Sequence, residues 1–377
     1  MHIKRLQRIL LSILLIICMG ITGCGASSKE QDGKNKGNKK DENVLDEENL
    51  SDVGTSDNIN EDEPFYIDDI LGIYLDTKDI LGVQYDLYES GLAEVTDVNK
   101  EFAKIQEEIE VDGVKYQVVA LSGIYDEWTQ FEIPSSIKYI LERAFEHTQL
   151  QSLEIPNTVE YISGAETFIG SAIESISFPE DIKTDKEFSM FPHCENLKNI
   201  IIPDGVEVID NLSNSGFLSV TIPNSVHTIE KGAFNECEEL LEIMIPESVT
   251  TIESNAFGGC TSLKTLRIPG SVHTLALNMV NNTAIEEFII PDTVTEYIDG
   301  EICEMPNLKT LKFSNSVNTV CEELDDCPNL KLIIFPDNIE DVDDFSLEGN
   351  GITIQVRKDV IDYFKQEFPN CNVVAKE

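Results

Sequence analysis

Apolar positions recur along most of this chain in one fixed figure. An apolar triplet with spacings of three and two, such as Leu263, Leu266 and Ile268, ends one residue before a proline. Ile or Val then stands three residues after that proline. The prolines are Pro134, Pro156, Pro179, Pro203, Pro223, Pro246, Pro269, Pro291 and Pro336, and Ser314 takes the one remaining place. Successive spacings are 22, 23, 24, 20, 23, 23, 22, 23 and 22 residues. The aliphatic positions that follow are Ile137, Val159, Ile182, Val206, Val226, Val249, Val272, Val294, Val317 and Ile339. A register held through ten copies marks a repeat array.

Each copy predicts two short strands. The segment from Leu263 to Ile268 alternates apolar and polar residues, as a strand with one buried face does, and the proline ends it by removing a donor. The segment from Ser248 to Ile252 is rich in β-branched residues and predicts the returning strand, with Asn255–Cys260 as the turn and a short helical bend. One copy cannot fold alone. Its few core side chains contribute about 1.5–3 kcal/mol each, against about 1.5 kcal/mol of ordering cost for every residue. Stacking on neighbours is required, and stacked strands rise about 4.8 Å per turn, so the expected fold is a mainly β repeat solenoid.

The stretches Ile222–Pro246 and Ile245–Pro269 resemble the BspA-like leucine-rich repeat, a variant of bacterial surface proteins, of about 23 residues per turn. The resemblance implies a β-hairpin N-terminal cap, with Ile109–Gly123 as its opening hairpin, and a strand-helix C-terminal cap from Ile352 to Phe368. The Ala-Phe pair of the repeat is intact only after Pro134, Pro223 and Pro246, so the other turns are expected to be irregular. Residues 64–102 contain a hairpin turning at Glu89-Ser90-Gly91, placed with the N-terminal cap. The expected organisation is a signal over 1–23, a tether over 24–63, an N-terminal cap over 64–132, the solenoid over 133–350 and a C-terminal cap over 351–377.

The N-terminus changes where this solenoid is expected to sit. Lys4, Arg5 and Arg8 precede the uncharged apolar run Ile9–Gly20, which is short for a membrane span and reads as a secretory signal. Ile21–Cys24 resembles the bacterial lipobox, which implies cleavage before Cys24 and its lipidation. Gly25–Glu63 is nearly free of bulky apolar residues and is expected to be a disordered tether with a reach of about 35 Å. The expected location is extracytoplasmic, anchored to a bacterial cell membrane through the N-terminal lipid. With 27 Lys+Arg against 70 Asp+Glu the formal net charge is -43, which excludes nucleic acid as a partner class.

Candidate chemistry is sparse. Of the nine cysteines, Cys237 and Cys260 share one repeat position and stack on adjacent turns, either as small buried residues or, at this spacing, as a disulfide. There is no C-x2-C pair, and His227 and His273 share a position two turns apart, too far to hold one metal. No nucleophile elbow, zincin or phosphate-loop motif occurs, so no catalytic site, metal or cofactor is expected.

What remains is the surface. In a solenoid the outward side chains of one strand layer form a continuous ribbon, and repeat proteins bind through such ribbons. Ile201, Leu218, Leu241, Met244, Ile289, Leu332 and Ile334 fall on it, an apolar set that predicts a face for a protein or glycan partner. The resemblance implies adhesion or an interaction within the envelope, without catalysis. The alternatives are a structural spacer without a specific ligand, or a wall-modifying enzyme with its site in residues 64–102.

Overall fold

The structure is a computed structural model that describes residues 67–99, 104–125, 128–298, 301–318, 320, 323–339, 342, 345–347 and 351–376. The expected signal, Cys24 and the tether lie outside the described residues. The described chain is a β-solenoid of about 12 turns. That is two more than the ten turns counted from the proline positions, because strands at both ends join the stack without the proline.

Two parallel ladders run along the stack. Three-residue strands just before most of the prolines form one of them, for example Asn199–Ile201, Ser219–Thr221 and Glu242–Met244, paired in register. Two-residue strands such as Thr228–Ile229, Thr251–Ile252 and Thr274–Leu275 form the other. Proline does more than stop the first strand. Its carbonyl accepts the N–H of the aliphatic residue three positions on, as in Val249 to Pro246 at 3.1 Å and Val272 to Pro269 at 3.2 Å. This closes a β-turn that folds the chain toward the second ladder, and all ten of those aliphatic residues are buried.

The third side of five turns is held by phenylalanine. Phe145, Phe168 and Phe191 stack with ring centroids 5.2 Å apart at each step, and Phe234 stacks on Phe257 at 5.4 Å with planes 3° apart. The stack therefore outlives the Ala-Phe pair, because Thr167 and Met190 replace the alanine while the ring keeps its place. Leu212 fills the shortened turn after Asp210. Two residues past each ring the backbone is left-handed, at His147, His193 and Glu236, with Gly170 and Gly259 in the same place, and Asn214 and Asn282 take it two residues past Leu212 and Val280. The reason is directional. With positive φ the N–H points along the stack, so Glu236 donates to Gly258 at 2.7 Å and Gly259 to Asn281 at 2.9 Å. A Cβ at Gly170 would lie 2.2 Å from the His147 ring, so this turn needs glycine for space as well.

At the N-terminal end, helix α1 (Ile67–Leu71) leads into β1 (Tyr74–Ile80), β2 (Val83–Tyr88) and β3 (Leu92–Val98), an antiparallel run. β4 (Glu108–Val111) and β5 (Val114–Leu121) form the next hairpin, and β5 joins β3 and the short-strand ladder in parallel. Val83, Tyr85, Leu87, Ala93 and Val95 belong to the same continuous core as the repeats, so residues 67–99 do not enclose a core of their own. At the other end, strand Thr353–Val356 is followed by α2 (Ile361–Glu367) and a last strand, Asn372–Ala375, which pairs with it in parallel. Phe364 of α2 is buried against Phe335 at 5.0 Å.

Replacing one ring of the stack leaves a cavity that neighbouring turns cannot close, because their spacing is fixed by the ladders. Phe234→Ala is expected to lower unfolding stability by about 3–5 kcal/mol, read from denaturant midpoints at unchanged m-value.

Candidate binding face

On each three-residue strand the central side chain points inward and its two neighbours point out. Ile200, Val220 and Ile243 are buried, whereas Ile201, Thr221 and Met244 are exposed and lie side by side in the ladder register. Met244 is 84% exposed and Ile201 71%. One residue before the strands, Leu241 donates its N–H to the carbonyl of Leu218 at 3.2 Å, which sets these two exposed side chains on adjacent turns. Ile201, Leu218, Leu241 and Met244 are thus brought onto three consecutive turns of one face.

The other members of the apolar set are placed differently. Ile289 is exposed, but residues 264–267 separate it from Met244, and that segment forms no strand in the ladder. Leu332 and Ile334 stand on the same side of a later strand and are half-buried. Their strand lies between one that carries Lys312 and one that carries Gln355. Long side chains of this kind cover apolar neighbours with their stems.

Charge on this face is also patterned. Lys198, Lys264, Arg267, Lys309 and Lys312 stand on it, several of them with a carboxylate from an adjacent turn. Lys309 meets Glu286 at 2.6 Å and Arg267 meets Glu247 at 3.2 Å, while Lys198 reaches Glu239 two turns on at 2.6 Å. Exposed pairs of this kind add little stability, about 0–1 kcal/mol each. Their consequence here is local, since they keep the face close to neutral in a strongly acidic chain. The opposite ladder presents Thr228, Thr251, Thr274 and Glu296 outward, with Glu207 between Lys186 at 2.8 Å and His227 at 3.6 Å.

The interior carries cysteine in place of chemistry. Cys194, Cys237 and Cys260 are buried free thiols, so Cys237 and Cys260 are not joined as a disulfide. Each S–H reaches a carbonyl of the preceding turn: Phe168 at 3.0 Å, Leu212 at 3.3 Å and Phe234 at 3.2 Å. The hydroxyls of Thr148 and Ser215 occupy the same repeat position, and each also donates to a carbonyl. In these five turns the position holds a small side chain whose one donor is used, which an apolar ladder does not describe. His227 and His273 lie exposed on the short-strand ladder, and no group of metal-binding side chains occurs among the described residues.

Burial pushes the Cys194 and Cys237 thiols up to about 12, and raises Cys260 well above its ordinary value, where the neighbouring Cys237 adds to burial. A folded-state value above the unfolded one gives stability that is complete below the unfolded value, about 8.5, and is lost as pH rises toward the folded value. Urea midpoints are expected to hold constant from about pH 7 to 8 and to fall above about pH 9. Replacing all three thiols with serine is expected to flatten that fall.

Residues 124–240, 210–324 and 296–376 match a family model described as a BspA type leucine rich repeat region. Among solved structures the chain is similar to a leucine-rich repeat protein from Bacteroides ovatus. The identity is 24% and the TM-score 0.54, over 69% of this chain and 71% of that one. It is also similar to the pneumococcal vaccine antigen PcpA, at 16% identity and a TM-score of 0.49, over 80% of this chain and 99% of that one. A leucine rich cell surface protein from Faecalibacterium prausnitzii shares 19% identity at a TM-score of 0.42, over 80% of this chain and 95% of that one. At these identities the likeness is one of fold. No curated protein matches the chain.

Proposed function

The chain belongs to the BspA-type leucine-rich repeat family, and from that premise we propose that it is a bacterial surface lipoprotein whose solenoid binds a protein or glycan of the envelope or its surroundings. Cys24 carries the lipid in this reading, and the reading is non-catalytic. One observation carries it. Of the twelve large hydrophobic side chains that stand exposed among the described residues, Ile201, Leu218, Leu241, Met244 and Ile289 all fall on the long-strand face. The ladder backbone fixes their spacing, so a partner would find them already ordered and would lose little entropy in ordering them.

Anchoring limits reach. About 12 turns at about 4.8 Å give a rod of roughly 60 Å on a tether of about 35 Å. Such a domain favours partners close to its own membrane over distant ones.

The test uses the ectodomain, Glu61–Glu377, immobilised and exposed to cell-wall polymers, envelope extract and extracellular-matrix proteins. Saturable binding is expected, and Leu241→Asp with Met244→Asp is expected to weaken it by about tenfold or more at unchanged thermal midpoint. Binding that ignores both substitutions would move the site off this face. An ectodomain that binds nothing saturably would be a spacer.

A further inference from the structure

β1 ends the sheet order at the N-terminal side, and among the described residues no strand pairs with its outer edge. The strand is joined to β2 by the two-residue turn Leu81-Gly82, with φ of 54° and 82°, a type I′ hairpin. The pair flanking such a turn, Ile80 and Val83, exchanges both ladder hydrogen bonds, and pairs alternate from there. Lys78 therefore bonds inward to β2, while Thr77 and Asp79 turn their backbone groups to the free edge. The Thr77 N–H agrees with this, since it is held by the Asp76 carboxylate, Oδ1, at 2.9 Å.

This edge is also unusually apolar. Ile73, Tyr74, Leu75 and Leu81 are all exposed, Ile73 at 67% and Leu81 at 71%. A lone lysine on an edge strand discourages pairing. Here Lys78 is two residues from Asp76, with which it forms an ion pair within the strand. That arrangement selects one partner.

We propose that two copies of this chain pair through β1, antiparallel and two-fold about Thr77. Antiparallel pairing keeps outward-turned residues opposite one another, so the two-fold axis falls on a residue of the strand. Centring on Asp76, Lys78 or Asp79 sets a like charge against itself. Centring on Thr77 sets Asp76 of each copy against Lys78 of the other, at the closer, non-hydrogen-bonded positions, where opposite charges stabilise and like charges destabilise. It also sets threonine against threonine at the axis, and brings Ile73 of one copy toward Leu81 of the other at both ends. The register shift between Tyr74 and Asp76 confines regular pairing to the centre and leaves those ends as apolar contact. In a chain of net charge -43, copies repel at a distance, and a contact that supplies its own opposite charges is what offsets this.

The test is disulfide trapping in the full-length chain. Across the axis the Cα atoms of a hydrogen-bonded pair lie about 5.5 Å apart, within disulfide range. Thr77→Cys is expected to give a reducible dimer on mild oxidation, well above the wild type and above Ser152→Cys on the long-strand face. Adding Asp76→Lys is expected to cut the dimer by about tenfold or more, and adding Lys78→Asp to that pair to restore it. A Thr77→Cys yield no greater than that of Ser152→Cys, or a yield that ignores the charge reversal, or a swap that fails to restore it, would overturn the proposal.

Discussion

The structure depends on one constraint: the backbone of each turn must exchange its hydrogen bonds with the adjacent turns on every side of the coil. On two sides short parallel strands meet this requirement. On the third side no strand ladder runs among the described residues, and left-handed residues such as Glu236 and Asn214 aim their N–H groups along the stack instead. A left-handed conformation costs a residue with a side chain about 1 kcal/mol, and the hydrogen bond it aims offsets that cost. Once the backbone is tied at strand spacing, like positions lie over like positions. Rings then stack on rings, and small donors on small donors.

The same constraint separates what can vary from what cannot. Inward positions are restricted in size by the turn above and the turn below. Outward positions on the long strands are not confined in this way, so their identity is free for recognition. The apolar group from Ile201 to Met244 is notable for that reason: nothing in the coil requires it. Burial of Val220 and Ile243 holds the strands, while Met244 beside them contributes almost nothing to the fold. The chain around this face is strongly acidic, while Lys198, Arg267 and Lys309 on it are each paired with a carboxylate.

Much of the fold was legible because solenoids write their period into the sequence. Triplets such as Leu263, Leu266 and Ile268 and the aliphatic residue after each proline fixed the repeat length and the inward positions. The outward positions followed by alternation, which is why Ile201, Leu241 and Met244 could be named. Other features carry no single-residue signal. The left-handed positions hold His, Asn, Glu and Gly, whose shared property is backbone direction rather than side chain. The ladder of Cys, Ser and Thr shares one donor, visible only when the carbonyl above it is seen. Alternation reports direction and not exposure, so the half-burial of Leu332 and Ile334 carries no signal in the sequence. β1 was missed because its apolar and charged residues do not alternate cleanly, and the register shift near Tyr74 breaks the period.

The central claim is that the long-strand face, and not the threonine-rich ladder opposite it, meets the partner. Side-chain carbene footprinting of the ectodomain, alone and saturated with envelope extract, tests this most directly. Reduced labelling confined to Ile201, Leu218, Leu241 and Met244 is the predicted result. Unchanged labelling there, with reduced labelling at Thr228, Thr251 and Thr274, would contradict it.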